Sequence, residues 1–246
     1  MPSSQHLNRK GTDVADVVVQ IYGIRTVEDA RMVVAMGSKH IGVSYGKIKR
    51  TPGQLTCERA KEIFAGVQSD AVKIGLTVAG DIDEITENLK EAFPDVLHLS
   101  GEIDDISPAQ VAVLKRRFPG LKIMQAIPVF AGVPIEDQKV LKYVADYESV
   151  SDFFLIDTKA PASTDIGATG LEHDRLIDKA IIESTKVPCI IAGGLHAGNV
   201  AEAIHMTQPY GVDSFSLTNY DDERANTERC KDPAKVEAFI KAARDA

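Results

Sequence analysis

After a polar start, apolar β-branched runs alternate with amphipathic stretches along the chain. The runs are VVVQI (17–21), HIGVS (40–44), AVKIGLTV (71–78), VLHL (96–99), KIMQAI (122–127), FFLI (153–156), CIIA (189–192) and GVDSFS (211–216). Each is predicted as a strand, and a helix-like segment follows each one. Thr26 with Asp29 reads as a capping box on the first helix, and Ser107-Pro108 as an N-cap followed by proline at the first helical position. Gly120, after RRFP, marks the end of the fourth helix. Strands this apolar, without clean polar alternation, suit a parallel sheet covered on its outer face. Eight strand–helix units in 246 residues predict an α/β chain forming a single eight-stranded (β/α)8 TIM barrel over residues 16–246. Residues 1–15 are expected to be a flexible N-terminal tail. A doubly wound open sheet is the runner-up, weakened because no G-x-G-x-x-G follows the first strand.

Composition narrows the setting. A net charge of −8 argues against a nucleic-acid binder, which needs a basic face. The start lacks the apolar core of a secretory signal, and no apolar run is long enough for a membrane helix. Cys57, Cys189 and Cys230 are too widely spaced for a disulfide framework or a metal knuckle. A cytoplasmic enzyme of a small molecule is expected, with no cofactor and no metal. Its oligomeric state is open.

In such a barrel the chemistry lies at the C-terminal strand ends. Strand 1 ends with Gln20 and Tyr22 on one face, strand 4 with His98 and Ser100, and strand 5 offers Gln125. Strand 6 delivers Asp157 after four apolar residues. Desolvation there would raise its pKa and suit it to acid–base work. A helix cap, or a salt bridge to Lys159, is the structural alternative. Lys159 itself reads as a loop lysine touching phosphate or solvent. Gly193 and Gly194 suit an anion cradle, although a tight turn explains them equally well. His196 and His205 lack metal-site spacing, and Glu202 with His205 reads as an exposed helix face. Lys73 is either inward and functional or snorkelling to the rim.

Several ordered motifs add to this reading. QIYGIRTVEDA resembles the K-I-C-G-I-T-x-x-E-D-A opening of the phosphoribosylanthranilate isomerase family. FLIDTKAP resembles its L-L-D-(S/T)-K-x-P, IGATGLEHD its G-G-(S/T)-G-K-T-F-D loop, and KDPAKVEAFIKAAR its final helix. IIAGGLHAGNVAEAI and PYGVD are similar to further family motifs. The resemblance runs from about Val17 to the C-terminus. It implies a (β/α)8 barrel and an Amadori rearrangement, in which an aspartate opens the ribose ring as general acid and a cysteine removes the C2 proton. The aspartate falls on Asp157. An arginine for the anthranilate carboxylate falls on Arg50, the strand 8 aspartate on Asp213, and phosphate contacts on Gly170, Gly193 and Gly194.

The departures concentrate at the site. Tyr22 stands where the family has its cysteine, and Gln20 replaces a basic residue. Q-L-H-G becomes HLSG (98–101), and S-S-G-V-E becomes FSLTN (215–219), leaving Ser216 and Thr218 as hydroxyl donors for an anion. Tyrosine, with a pKa near 10, is a poor base at neutral pH. The leading expectation is therefore a diverged isomerase or epimerase, acting on a sugar or sugar phosphate through an enediol. In it Asp157 moves the proton and neutral Tyr22 donates a hydrogen bond to the oxyanion. Retro-aldol cleavage fits the same intermediate. The alternatives are the ordinary phosphoribosylanthranilate isomerase of tryptophan biosynthesis and a non-catalytic sugar-phosphate binder.

Overall fold

A computed structural model of the chain describes residues 17–67, 70–159 and 173–246. The expected N-terminal tail and Gly170 lie outside the described residues. Eight parallel strands close into one barrel in sequence order. They are β1 (Val18–Ile21), β2 (His40–Ser44), β3 (Val72–Thr77), β4 (Val96–Leu99), β5 (Lys122–Phe130), β6 (Phe153–Lys159), β7 (Cys189–Ile191) and β8 (Gly211–Ser214). The outer layer is α1 (Val27–Ala35), α2 (Cys57–Val67), α3 (Ile82–Glu91), α4 (Pro108–Arg117), α5 (Val140–Tyr147), α6 (Arg175–Ser184), α7 (Val200–Thr207) and α8 (Pro233–Arg244). Among the described residues, no helix is long and apolar enough to cross a membrane.

Local chemistry sets the helix starts. Ser107 and Gln110 form a complete capping box, with Pro108 in the first turn. The box expected at Thr26 is half made. Thr26 accepts from the Asp29 amide, but the Asp29 carboxylate turns to Arg229 at 3.3 Å. Two strands outrun their apolar stretches. β5 and β6 stay paired through Pro128↔Asp157, Val129↔Thr158 and Phe130↔Lys159, so Asp157 lies within a strand rather than beyond its tip. β8 is shorter than its run, because Ser216–Thr218 forms a 3-10 turn.

Strand parity divides the core in two. Residues such as Ile21, Ile41, Leu97, Ile123, Phe154 and Val212 pack outward under the helices. Tyr22, Ile74, Val96, Met124, Phe153, Leu155, Ile190 and Ala192 fill the barrel interior. Residues in register on neighbouring parallel strands share a face. His98 pairs with Met124 and faces inward, whereas Gln125 pairs with Leu99 and Phe154 and faces outward. Lys73 alternates with inward Val72 and Ile74, so it also points outward, and it pairs with Asp95 at 3.1 Å.

Candidate active site

Alternation from the apolar interior carries a set of polar residues to the barrel mouth. On β1, Gln20 and Tyr22 share the inner face. Asp213 is level with Gln20 across the β1–β8 seam. His98 on β4 and Asp157 on β6 are inward by the same register. Lys159 follows Asp157 on its face, and Ser100 follows His98.

Tyr22 spans the interior from β1 to β4. Its hydroxyl lies 2.6 Å from His98 Nδ1, both side chains are buried, and the rings are tilted 50° to each other. Glycine at position 42 on β2 makes room for this crossing. A Cβ there would lie 2.0 Å from a Tyr22 ring carbon. Burial pushes the Tyr22 phenol well above its ordinary range, and the carboxyls of Asp213 and Asp157 push it the same way. Burial holds the His98 imidazole down at about 3. Both groups are neutral at physiological pH, and Tyr22 cannot serve as a base. His98 Nε2 is buried without a hydrogen-bond partner among the described residues.

The carboxyl groups behave differently. Burial raises Asp157 to about 6, against the opposing pull of its own Thr158 amide, His173 and Arg175. Burial and the neighbouring Asp157 raise Asp213 well above the carboxylate range, although Gln20 and Lys231 stabilise its charge. Asp213 Oδ1 accepts from Gln20 Nε2 at 3.1 Å, and Gln20 Oε1 accepts from His40 Nδ1 at 3.3 Å. An amide serves both neighbours only with its oxygen toward His40, so His40 carries its proton on Nδ1. His40 is held at about 4 by burial and by Lys122. The salt bridge considered for Asp157 and Lys159 is not made. Lys159 Nζ instead bonds both oxygens of Glu102, at 2.6 and 2.7 Å.

The anion-seat residues separate. Gly193 and Gly194 both adopt positive φ, 77° and 71°, at the β7 tip. A Cβ on Gly193 would lie 2.1 Å from Thr158 Oγ1. Ser216 is exposed. Thr218 is corrected: its hydroxyl donates to the Phe215 carbonyl at 2.9 Å and accepts from Lys231 Nζ at 3.1 Å, so it is not turned to an anion. Arg50 sits on the exposed rim, bound through two nitrogens to Glu84 in the first turn of α3. Gln125 is corrected as a substrate contact. It donates to the Ala126 carbonyl at 3.2 Å on the helix side of the sheet.

Four polar residues were not singled out from the sequence. His40 shares the inner face with Gly42, and strand alternation could have found it. Glu102 lies far in sequence from Lys159. Lys231 is fully buried beneath the β8 tip, with burial lowering its ammonium to about 8. His173 joins a buried cluster with Asp178. No local signal marks these three.

The profile of the family described as "N-(5'phosphoribosyl)anthranilate (PRA) isomerase" matches residues 19–242. The chain belongs to the phosphoribosylanthranilate isomerase family. It is 34% identical over 231 residues to the N-(5'-phosphoribosyl)anthranilate isomerase of Rhodopseudomonas palustris (strain TIE-1), covering 93% of this chain and 99% of that one. The phosphoribosylanthranilate isomerase structure from Pyrococcus furiosus superposes with a TM-score of 0.74 at 25% identity, over 94% of this chain and all of that one. A phosphoribosylanthranilate isomerase solved with reduced 1-(o-carboxyphenylamino)-1-deoxyribulose 5-phosphate shares the fold, with a TM-score of 0.71 at 20% identity and 94% of this chain covered. Membership makes the protein one of a family of isomerases, and nothing in these comparisons supports a lyase. They favour the ordinary reaction of phosphoribosylanthranilate isomerases over the diverged one.

Proposed function

We propose that the protein is an aldose–ketose isomerase acting on N-(5'-phosphoribosyl)anthranilate, with Asp157 and Asp213 dividing the proton transfers between them. The observation that carries this reading is the pair of interior carboxyls, each raised by burial, with Asp157 further raising Asp213. Ring opening needs an acid at the ribose ring oxygen, and enolisation needs a base at C2. Two coupled carboxyls that hold one proton provide both, and they titrate as a unit. One carboxyl protonates the ring oxygen, and its ionised neighbour removes the C2 proton. Asp213, raised the further of the two, holds the proton and serves as the acid. Asp157 is its ionised neighbour, which takes over the work of the missing cysteine and reverses the acid role that the resemblance implies for it.

Tyr22 fits a different task. A neutral phenol donates to developing negative charge. It can do so here only when His98 carries its proton on Nδ1 and Tyr22 accepts from it, which frees the phenol hydrogen for the substrate. Gly193 and Gly194 offer backbone N–H groups to the phosphate.

The test is conversion of N-(5'-phosphoribosyl)anthranilate by purified protein, followed by NMR. Asp157→Asn and Asp213→Asn are each expected to lower kcat by about 10² to 10⁴. Wild-type turnover by Asp213→Asn would refute the shared proton, and an inert wild-type protein would refute the substrate. One observation favours a second reading. The Tyr22 ring lies across the interior against Gly42, which suits a smaller sugar phosphate. Turnover of ribose 5-phosphate by a protein inert toward the anthranilate would select it.

A further inference from the structure

A buried polar cluster stands behind the β6 and β7 tips, on the helix side of the barrel. Thr158 Oγ1 lies 2.8 Å from His173 Nδ1, and His173 Nε2 lies 2.5 Å from Asp178 Oδ1. The other Asp178 oxygen accepts from Arg175 Nη1 at 2.9 Å. The same Arg175 nitrogen donates to the Ala192 carbonyl at 2.7 Å, and Nη2 donates to the Gly193 carbonyl. The side chains of His173 and Asp178 are wholly buried.

The cluster joins four pieces of backbone. Thr158 follows Asp157 in β6, His173 immediately precedes the α6 N-cap, Asp178 lies in α6, and Ala192 and Gly193 form the β7 tip. Thr158 Oγ1 lies directly under the Gly193 Cα, where a Cβ would collide with it. Thus one ionic cluster touches both the residue after Asp157 and the glycine offered to phosphate. Burying it is costly unless every member is satisfied, so a purely structural device would favour apolar packing.

We propose that His173 and Arg175 are positioning residues, which lock the Asp157 strand tip and the Gly193–Gly194 turn into one unit and thereby set both the proton-transfer carboxyl and the anion seat. This rests on the isomerase reading above. The electrostatics agree in sign: His173 and Arg175 oppose the rise of the Asp157 pKa, and Asp178 promotes it. Among the described residues, Asp213 from β8 and Tyr22 from β1 also interact electrostatically with Asp157, and Lys159 follows it on the same face of β6. Lys231 acts on Asp213.

The experiment uses the full chain and inorganic phosphate as probe. Calorimetry measures phosphate binding, and carboxyl-carbon NMR follows the titration of Asp157. Arg175→Met is expected to weaken phosphate binding about tenfold, equivalent to about 1.4 kcal/mol, by releasing the two carbonyls. His173→Gln is expected to move the Asp157 midpoint upward, and Asp178→Asn to move it downward. Opposite signs are something mere loosening of the fold would not produce. Thr158→Val keeps the shape of its side chain and serves if the ionic variants fail to fold. It is expected to weaken phosphate binding about threefold. Wild-type binding and an unmoved midpoint in the variants that fold would overturn the proposal while leaving the isomerase reading intact. Absence of phosphate binding by the wild-type protein would overturn both.

Discussion

The Tyr22 hydroxyl and His98 Nδ1, 2.6 Å apart, tie β1 to β4 through the middle of the barrel. Tyr22→Phe removes the hydroxyl and leaves a buried imidazole nitrogen without its partner. A loss of about 1 to 3 kcal/mol in stability is expected from denaturant unfolding. If the phenol also donates to the oxyanion, kcat falls by a further factor of about 10² to 10³. Unchanged kcat alongside lowered stability would reduce Tyr22 to a cross-brace.

Asp157 should set activity against stability. Its folded pKa is raised from 3.8 to about 6 by burial. The stability from this group is full below about pH 4 and is lost as pH rises through about 6. Asp157→Asn should therefore raise Tm at about pH 8, by up to about 3 kcal/mol in stability, with the gain disappearing near pH 4. The same variant should lose about 3 to 5 kcal/mol of transition-state stabilisation. Melting curves at the two pH values check the first half, and kcat/KM the second.

His40 should act in the opposite sense. Its pKa falls from 6.5 to about 4. The stability it confers is present above about 6.5 and is lost as pH drops through about 4. His40→Gln should flatten the acid limb of stability by up to about 3 kcal/mol. An acid unfolding midpoint identical to that of the wild-type protein would contradict the buried neutral imidazole.

The outline of the barrel was legible because most strands carry a short apolar run rich in β-branched residues. Asp157 was legible for the same reason, as an acid that interrupts such a run. Gln125 was not: KIMQAI is apolar on both faces, so the sequence carries no sign of which residues turn inward, and Met124 takes the inner face. The partner of Lys159 lies on the loop after β4, while Lys159 itself ends β6, and Lys231 sits in the polar CKDP stretch without an apolar context. Such long-range pairings arise only when the ring closes. The glycine pair was legible as a tight turn, and Gly193 and Gly194 both adopt positive φ, but the bond between Thr218 and Lys231 was not.

Gly42 and Tyr22 should be energetically coupled. Gly42→Ala places a methyl carbon into the ring, which is tethered at its far end by His98. A cost of about 1 to 3 kcal/mol is expected in the wild-type background. The same change should be nearly neutral when combined with Tyr22→Ala. A double-mutant cycle reads the difference, and strict additivity would deny the contact.

That contact also constrains how such a site is reached by mutation. With alanine or any larger residue at 42, a single change to tyrosine at 22 meets a blocked interior. With glycine there, the tyrosine fits, and a later return to a small thiol at 22 leaves a ring-sized void against a residue that cannot fill it. The order of substitutions is therefore directional. Glycine comes first, and once the ring is seated each single step backward passes through a less stable barrel.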